Sequence, residues 1–195
     1  LIGQEVRSSG LIEPIWDQTE LVVPQVFERM YLDLRREHQF PSVAETGRAL
    51  GAAVVKQVAP FFPAAGDFVP EEAAVQIYPA GTHQALGWHR DNINDDFLII
   101  SLAVTGTGEL AFTEKINTQD VRPEDIVARI VMRPLSALVF RANGLFVRED
   151  GSDIRMPHAV TWVDPGEDRF TIQYRTGQNS TDYGNTIVNA DRPIL

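Results

Sequence analysis

His89 and Asp91 stand two positions apart at the end of an extended run, Ala85–Asp91. In an extended backbone, residues i and i+2 point to the same face, so this imidazole and this carboxylate can grip one metal ion together. His158 lies far away in sequence, at the start of another extended run, Pro157–Trp162, and can approach them in a rolled-up sheet. Two histidines and one carboxylate form a facial donor set that leaves open positions on non-haem iron(II). Imidazole also suits zinc, but no general base accompanies the three residues to support a zinc hydrolase. An acid two residues after a histidine is common by chance, so the set gains its weight from context. Of the other two histidines, His83 reads as a loop residue bonded to backbone. His38 suits the last turn of a helix, where the dipole favours a cation.

The context is the run Arg169-Phe170-Thr171-Ile172-Gln173-Tyr174-Arg175. As a strand it presents Arg169, Thr171, Gln173 and Arg175 on one face. Two arginines turned inward need anionic partners, because an unpaired buried charge is very costly. A dicarboxylate ligand would serve, since guanidinium binds carboxylate in a two-pronged fashion. Asp or Glu in structural ion pairs would serve equally well.

These residues must be positioned by a framework, and the sequence outlines one. After Pro24, the apolar residues Val26, Phe27, Met30, Tyr31 and Leu34 recur at helical spacing and predict a first helix that Pro41 ends. A second helix is predicted from Ser42, with Glu45 three residues on as a capping box and Val43, Leu50, Val54 and Val58 as its apolar stripe. From Ala73 the pattern becomes eight short extended runs: 74–79, 85–91, 97–104, 109–114, 127–133, 136–141, 157–162 and 169–176. Gly106, Gly108, Asn143-Gly144, Asp150-Gly151 and Pro165-Gly166 punctuate them. Eight such strands predict a closed or double-sheet β architecture, a jelly roll among them.

The chain has 195 residues, 44 % apolar and 23 % charged, with no repeat or convincing linker, so one domain over 1–195 is expected. It divides into a helical support of about 1–72, a jelly-roll core of about 73–176 and a polar tail, 177–195. With 17 Lys+Arg against 27 Asp+Glu, the net charge is −10. Such a chain lacks the basic surface that drives nucleic-acid binding. No cysteine is present, which excludes disulfides, thiolate metal sites and Cys nucleophiles. That composition fits a reducing compartment and a cytoplasmic location. The longest apolar stretch, Phe97 to Val104, is far too short to span a membrane. The first residues lack the charge pattern of a secretory leader. Oligomeric state is not legible.

Taken together and in order, Tyr78…Gly81, His89-Arg90-Asp91, Ile99-Ile100-Ser101-Leu102, Pro157-His158 and the Arg169–Arg175 run form a recognisable pattern. Over about Ala73 to Thr176 the chain resembles the iron(II)/2-oxoglutarate-dependent dioxygenases, and among them the AlkB-like group. The resemblance implies a fold that is mainly β with flanking helices, a double-stranded β-helix (jelly roll) with N-terminal helices packed on one sheet. It implies His89, Asp91 and His158 as iron ligands, with O2 and 2-oxoglutarate as co-substrates. Arg169 and the Tyr78 hydroxyl would take the distal carboxylate of 2-oxoglutarate, and Arg175 would lie near its iron-chelating end. Gln76 and Thr171 occupy positions where AlkB members usually carry asparagine, and the stretch from Tyr78 to His89 is about two residues longer. Both departures bear on co-substrate hydrogen bonds rather than on the metal.

By the same resemblance, 2-oxoglutarate is converted to succinate and CO2 while a substrate is oxidised. Related halogenases replace the carboxylate ligand with a small residue, so Asp91 favours hydroxylation, desaturation or ring closure over halogenation, with hydroxylation first among them. The acidic charge favours a small-molecule substrate over nucleic acid. The alternatives are an AlkB-type demethylase or hydroxylase acting on nucleic acid or protein, and a non-catalytic cupin-like metal-binding scaffold. Candidate substrate contacts are Trp88, Arg90, Asn92, Phe146 and Arg148.

Overall fold

The computed structural model describes residues 2–9, 13–15, 27–81, 86–91, 95–115, 117–141 and 156–177. Among these described residues, ten strands form two antiparallel sheets. In chain order they are β1 (Glu13–Ile15), β2 (Phe27–Asp33), β3 (Glu72–Tyr78), β4 (Leu86–His89), β5 (Asp95–Thr105), β6 (Gly108–Thr113), β7 (Ile126–Met132), β8 (Ala137–Arg141), β9 (His158–Val163) and β10 (Arg169–Gly177). The larger sheet has the order β1-β2-β3-β10-β5-β8 and the smaller one β4-β9-β6-β7. All eight predicted strands are present in this jelly roll.

Two helices accompany the sheets, α1 (Ile2–Ser8) and α2 (Pro41–Val58). Strict alternation along β10 explains where α2 sits. Phe170, Ile172 and Tyr174 join the core beneath α2, together with Leu98, Ile100 and Leu102 of β5 and Val43 and Val54 of the helix. The Tyr174 hydroxyl donates to the Val43 carbonyl at 3.0 Å. A Cβ on Gly47 would stand 2.7 Å from the Tyr174 ring, so a glycine there lets helix and sheet close up. A second core fills the space between the sheets, with Phe27, Tyr78, Ala103, Leu110 and Phe112 among its members.

Two predictions for the N-terminal third are corrected. The helix expected over 26–34 is strand β2 followed by a short 3-10 helix, Leu34–Gln39. Met30 and Leu32 pack beneath the helices while Phe27 packs between the sheets. Apolar residues on both faces of a strand imitate a helical period. The open edge of β3 settles the choice, because β2 supplies the hydrogen-bonding partner that edge needs. The capping box at Ser42 is absent. Pro41 opens α2 behind Phe40, which makes no side-chain cap. Instead the Glu5 carboxylate of α1 accepts from the backbone N–H groups of Ser42 at 3.1 Å and Val43 at 3.4 Å. A carboxylate from a neighbouring helix thereby meets the free donors of the first turn.

Candidate metal centre

His89 closes β4, His158 opens β9, and the two are direct cross-strand partners. Their rings lie 4.4 Å apart between centroids. Asp91 follows two residues after His89, just beyond the strand. Its carboxylate oxygens reach 3.9 Å from the His89 Nε2 and 3.4 Å from the His158 Nε2. One donor atom from each of the three residues lies within 4.8 Å of the others. On the far side of each ring, Nδ1 lies against a main-chain oxygen: Gly87 at 2.8 Å for His89, Met156 at 3.1 Å for His158. A carbonyl can only accept, so each Nδ1 carries the proton and each Nε2 presents its lone pair inward. Phe140 packs edge-on against His158 with centroids 5.0 Å apart. The His158 Nε2 is buried and makes no hydrogen bond. Burial pushes the His89 imidazole down to about 4, helped by His158 and opposed by Asp91. Two imidazoles beside a carboxylate, with an orphaned nitrogen among them, fit a divalent metal ion such as iron(II).

The larger sheet faces this centre with a ladder of polar side chains from β10 and its neighbour β3. Arg169 pairs with Tyr78, Thr171 with Gln76, and Arg175 with Glu72. As expected from the alternation, Arg169, Thr171, Gln173 and Arg175 are all buried. The two arginines have opposite surroundings. The Arg175 guanidinium donates to Glu72 at 2.7 Å, an ion pair with both side chains almost wholly covered. The Arg169 guanidinium lies 5.2 Å from the centre of the Tyr78 ring, and its Nε and Nη1 have no hydrogen-bond partner. Burial pushes Arg169 down, while Tyr78 opposes the shift. The Tyr78 hydroxyl, pushed up to about 12 by burial, stays protonated and donates to Gln76 at 3.3 Å. Glycine makes room for the buried cation: a Cβ on Gly108 would stand 2.5 Å from the Arg169 Nε.

A cavity of about 160 Å³ opens beside the metal ligands. His89, Asp91, Gln76, Gln173, Arg175 and Arg90 contribute its polar wall. Phe27, Arg29, Tyr31 and Leu86 complete it. Of the predicted substrate contacts, Arg90, which lies just beyond the end of β4, lines this space and Trp88 does not. Asn92, Phe146, Arg148 and His83 lie outside the described residues. His38 sits exposed on the 3-10 helix, away from the centre. Reading the sequence missed Arg29 and Tyr31 because it placed them on a helix. The alternation Phe27-x-Arg29-x-Tyr31 was the available signal.

No protein-family model matches the sequence, and no curated protein matches it. Solved structures do resemble the fold. A prolyl hydroxylase from Trichoplax adhaerens, in complex with a hypoxia-inducible-factor peptide fragment, superposes with a TM-score of 0.53 at 12 % identity, over 94 % of this chain and 80 % of that one. A 2OG-Fe(II) oxygenase-family oxidoreductase from Burkholderia pseudomallei gives 0.52 at 14 % identity, over 90 % and 81 %. A prolyl-4-hydroxylase from Pseudomonas putida gives 0.51 at 13 % identity, over 91 % and 83 %. At these identities the likeness establishes the fold: this chain has the jelly roll of the 2-oxoglutarate oxygenases.

Proposed function

We propose that this protein is an Fe(II)- and 2-oxoglutarate-dependent dioxygenase that oxidises, by hydroxylation, a small-molecule substrate. The observation that carries the reading is the pairing of two unsatisfied features inside this fold. One is the His89–Asp91–His158 cluster with its orphaned Nε2. The other is the Arg169 cation, buried on the facing sheet without a carboxylate partner among the described residues.

His89, Asp91 and His158 would hold the metal on one side and leave its other positions facing the cavity. Bound iron(II) would supply the redox chemistry that couples decarboxylation of 2-oxoglutarate to succinate and CO2 with oxidation of a substrate C–H bond by O2. Arg169 offers the distal carboxylate a two-pronged, charge-assisted partner, and Tyr78 adds a hydroxyl that stays protonated. Gln76 and Thr171 occupy the next rung of the ladder, between that carboxylate and the metal. Arg175, held by Glu72, keeps a fixed positive charge near the metal end. Phe112, Phe140 and the core behind them keep water from the His158 side. A net charge of −10 and a cavity of about 160 Å³ favour a small molecule over a nucleic acid. No helix among the described residues is long and apolar enough to cross a membrane.

The test is an anaerobic titration of metal-free protein with Fe(II) and then 2-oxoglutarate, followed by visible absorption. A charge-transfer band that appears with the wild type and vanishes in His158→Ala is the expected result. Metal binding without the band would instead favour a cupin-like scaffold and end the oxygenase reading.

A further inference from the structure

Of the three arginines that line the cavity, Arg29, Arg90 and Arg175, the first has no role towards the co-substrate in the reading above. Arg29 is on β2, opposite Gln76 of β3, and its side chain lines the same cavity as His89 and Asp91. Its guanidinium rests 5.6 Å from the centre of the Tyr31 ring. Its Nε is buried without a hydrogen-bond partner, and among the described residues it makes no ion pair. Arg175 in the same wall is neutralised by Glu72, so the contrast is one of partners rather than of residue type. Arg29 is half-buried, and a guanidinium whose inward N–H is shut off from water without an acceptor is completed by a ligand that supplies one.

Register places that ligand. Tyr78 and Arg169 share one rung, while Arg29, Gln76 and Thr171 share the next. Arg29 therefore stands one rung along and two strands across from Arg169. With rungs about 7 Å apart and strands about 5 Å apart, the two backbones are roughly 12 Å from each other. Under the oxygenase reading both carboxylates of the five-carbon diacid are already taken, one by Arg169 and the other at the metal end beside Arg175. A carboxylate at Arg29 thus belongs to another molecule. Phe27, Tyr31 and Leu86, from the same wall, offer that molecule's body apolar and aromatic surface. Resting on the oxygenase reading above, we propose that Arg29 is the specificity residue for the oxidised substrate. That substrate is a small organic acid whose carboxylate pairs with Arg29 and whose apolar body lies against Phe27 and Tyr31.

The experiment uses the protein loaded anaerobically with Fe(II) and 2-oxoglutarate. The probes are a series of alkanoic and arylalkanoic acids, each with its carboxamide, and binding is read from the perturbation of the charge-transfer band. In the wild type the best carboxylate is expected to bind at least about tenfold tighter than its amide. Arg29→Gln should bring the pair to parity, Arg29→Lys should keep part of the preference, and all three proteins should bind 2-oxoglutarate within about twofold of one another. If the band forms but no acid is preferred over its amide, or Arg29→Gln keeps the preference, the inference is overturned. It is equally overturned if Arg29→Gln weakens 2-oxoglutarate itself about tenfold, since Arg29 would then serve the co-substrate. A wild type that forms no band at all defeats the oxygenase reading, and the inference falls with it.

Discussion

The two ends of β10 carry the same side chain in opposite circumstances. At one end Arg175 lies sealed against Glu72 at 2.7 Å. At the other, Arg169 is equally buried with two of its nitrogens unmatched, and the ring of Tyr78 is its neighbour in place of a carboxylate. A buried pair and a buried single cation contribute differently to the fold. The intact pair offsets its own desolvation and is costly to break, whereas the single charge costs stability until a ligand arrives. The first is structure, and the second is, on the proposed reading, a binding site held ready.

Three experiments sharpen or break this contrast. The largest effect is expected from Glu72→Ala, which takes the carboxylate at 2.7 Å away from the buried Arg175 charge. Urea unfolding should show a loss of about 3–5 kcal/mol at unchanged m-value. A loss below about 1 kcal/mol would mean that Arg175 has another partner and that the two ends are alike.

Arg169→Met is next, and its stability and binding effects should diverge. An apolar side chain of similar reach removes an unmatched charge, so the metal-free protein should unfold within about 1 kcal/mol of wild type or later. Its affinity for 2-oxoglutarate, read from the charge-transfer band, should fall about a hundredfold, near 2.7 kcal/mol. Severe destabilisation with normal 2-oxoglutarate binding would reverse the roles of the two arginines.

The smallest effect concerns pH and Tyr78. Burial raises its phenol to about 12 in the folded protein, against about 10 in an unfolded chain. The folded state therefore keeps the proton longer, and this contribution to stability is intact below pH 10 and lost as pH climbs from 10 towards 12. Tyr78→Phe should flatten that part of the stability curve while leaving neutral pH nearly unchanged. Tyr174, also raised by burial, provides the control. If Tyr174→Phe alone removes the alkaline slope, then the phenol of Tyr78 is not the protonated partner that Arg169 needs.

Most of the jelly roll was legible because its strands carry a period of two, and that period records which face is covered. On β10 the alternation separated Phe170, Ile172 and Tyr174 from Arg169, Thr171, Gln173 and Arg175, and both sets lie where it places them. The proximity of the candidate metal ligands was partly legible for a similar reason, since His89 and Asp91 share a face by spacing alone. What failed was β2. Its two faces meet different cores, so Phe27, Met30 and Leu32 are all buried and the apolar pattern no longer reports a single side. With that strand went Arg29 and Tyr31, which line the cavity and were marked only by the short alternation Phe27-x-Arg29-x-Tyr31.

The sequence by itself determined which chemistries are available. It excludes thiolate sites, places two histidines and an acid in metal-binding relation, and puts two arginines on the inner face of one strand. Only the tertiary structure decided how those charges are spent. Glu72 and Arg175 are 103 positions apart and meet because β3 and β10 pair in a particular register. The same register sets Tyr78 beside Arg169, and β2 joins that sheet to bring Arg29 to the metal's side of the cavity. Whether a buried arginine is a brace or a receptor depends on its nearest anion. That neighbour is a property of the folded chain, since it arrives from a strand the local sequence does not name.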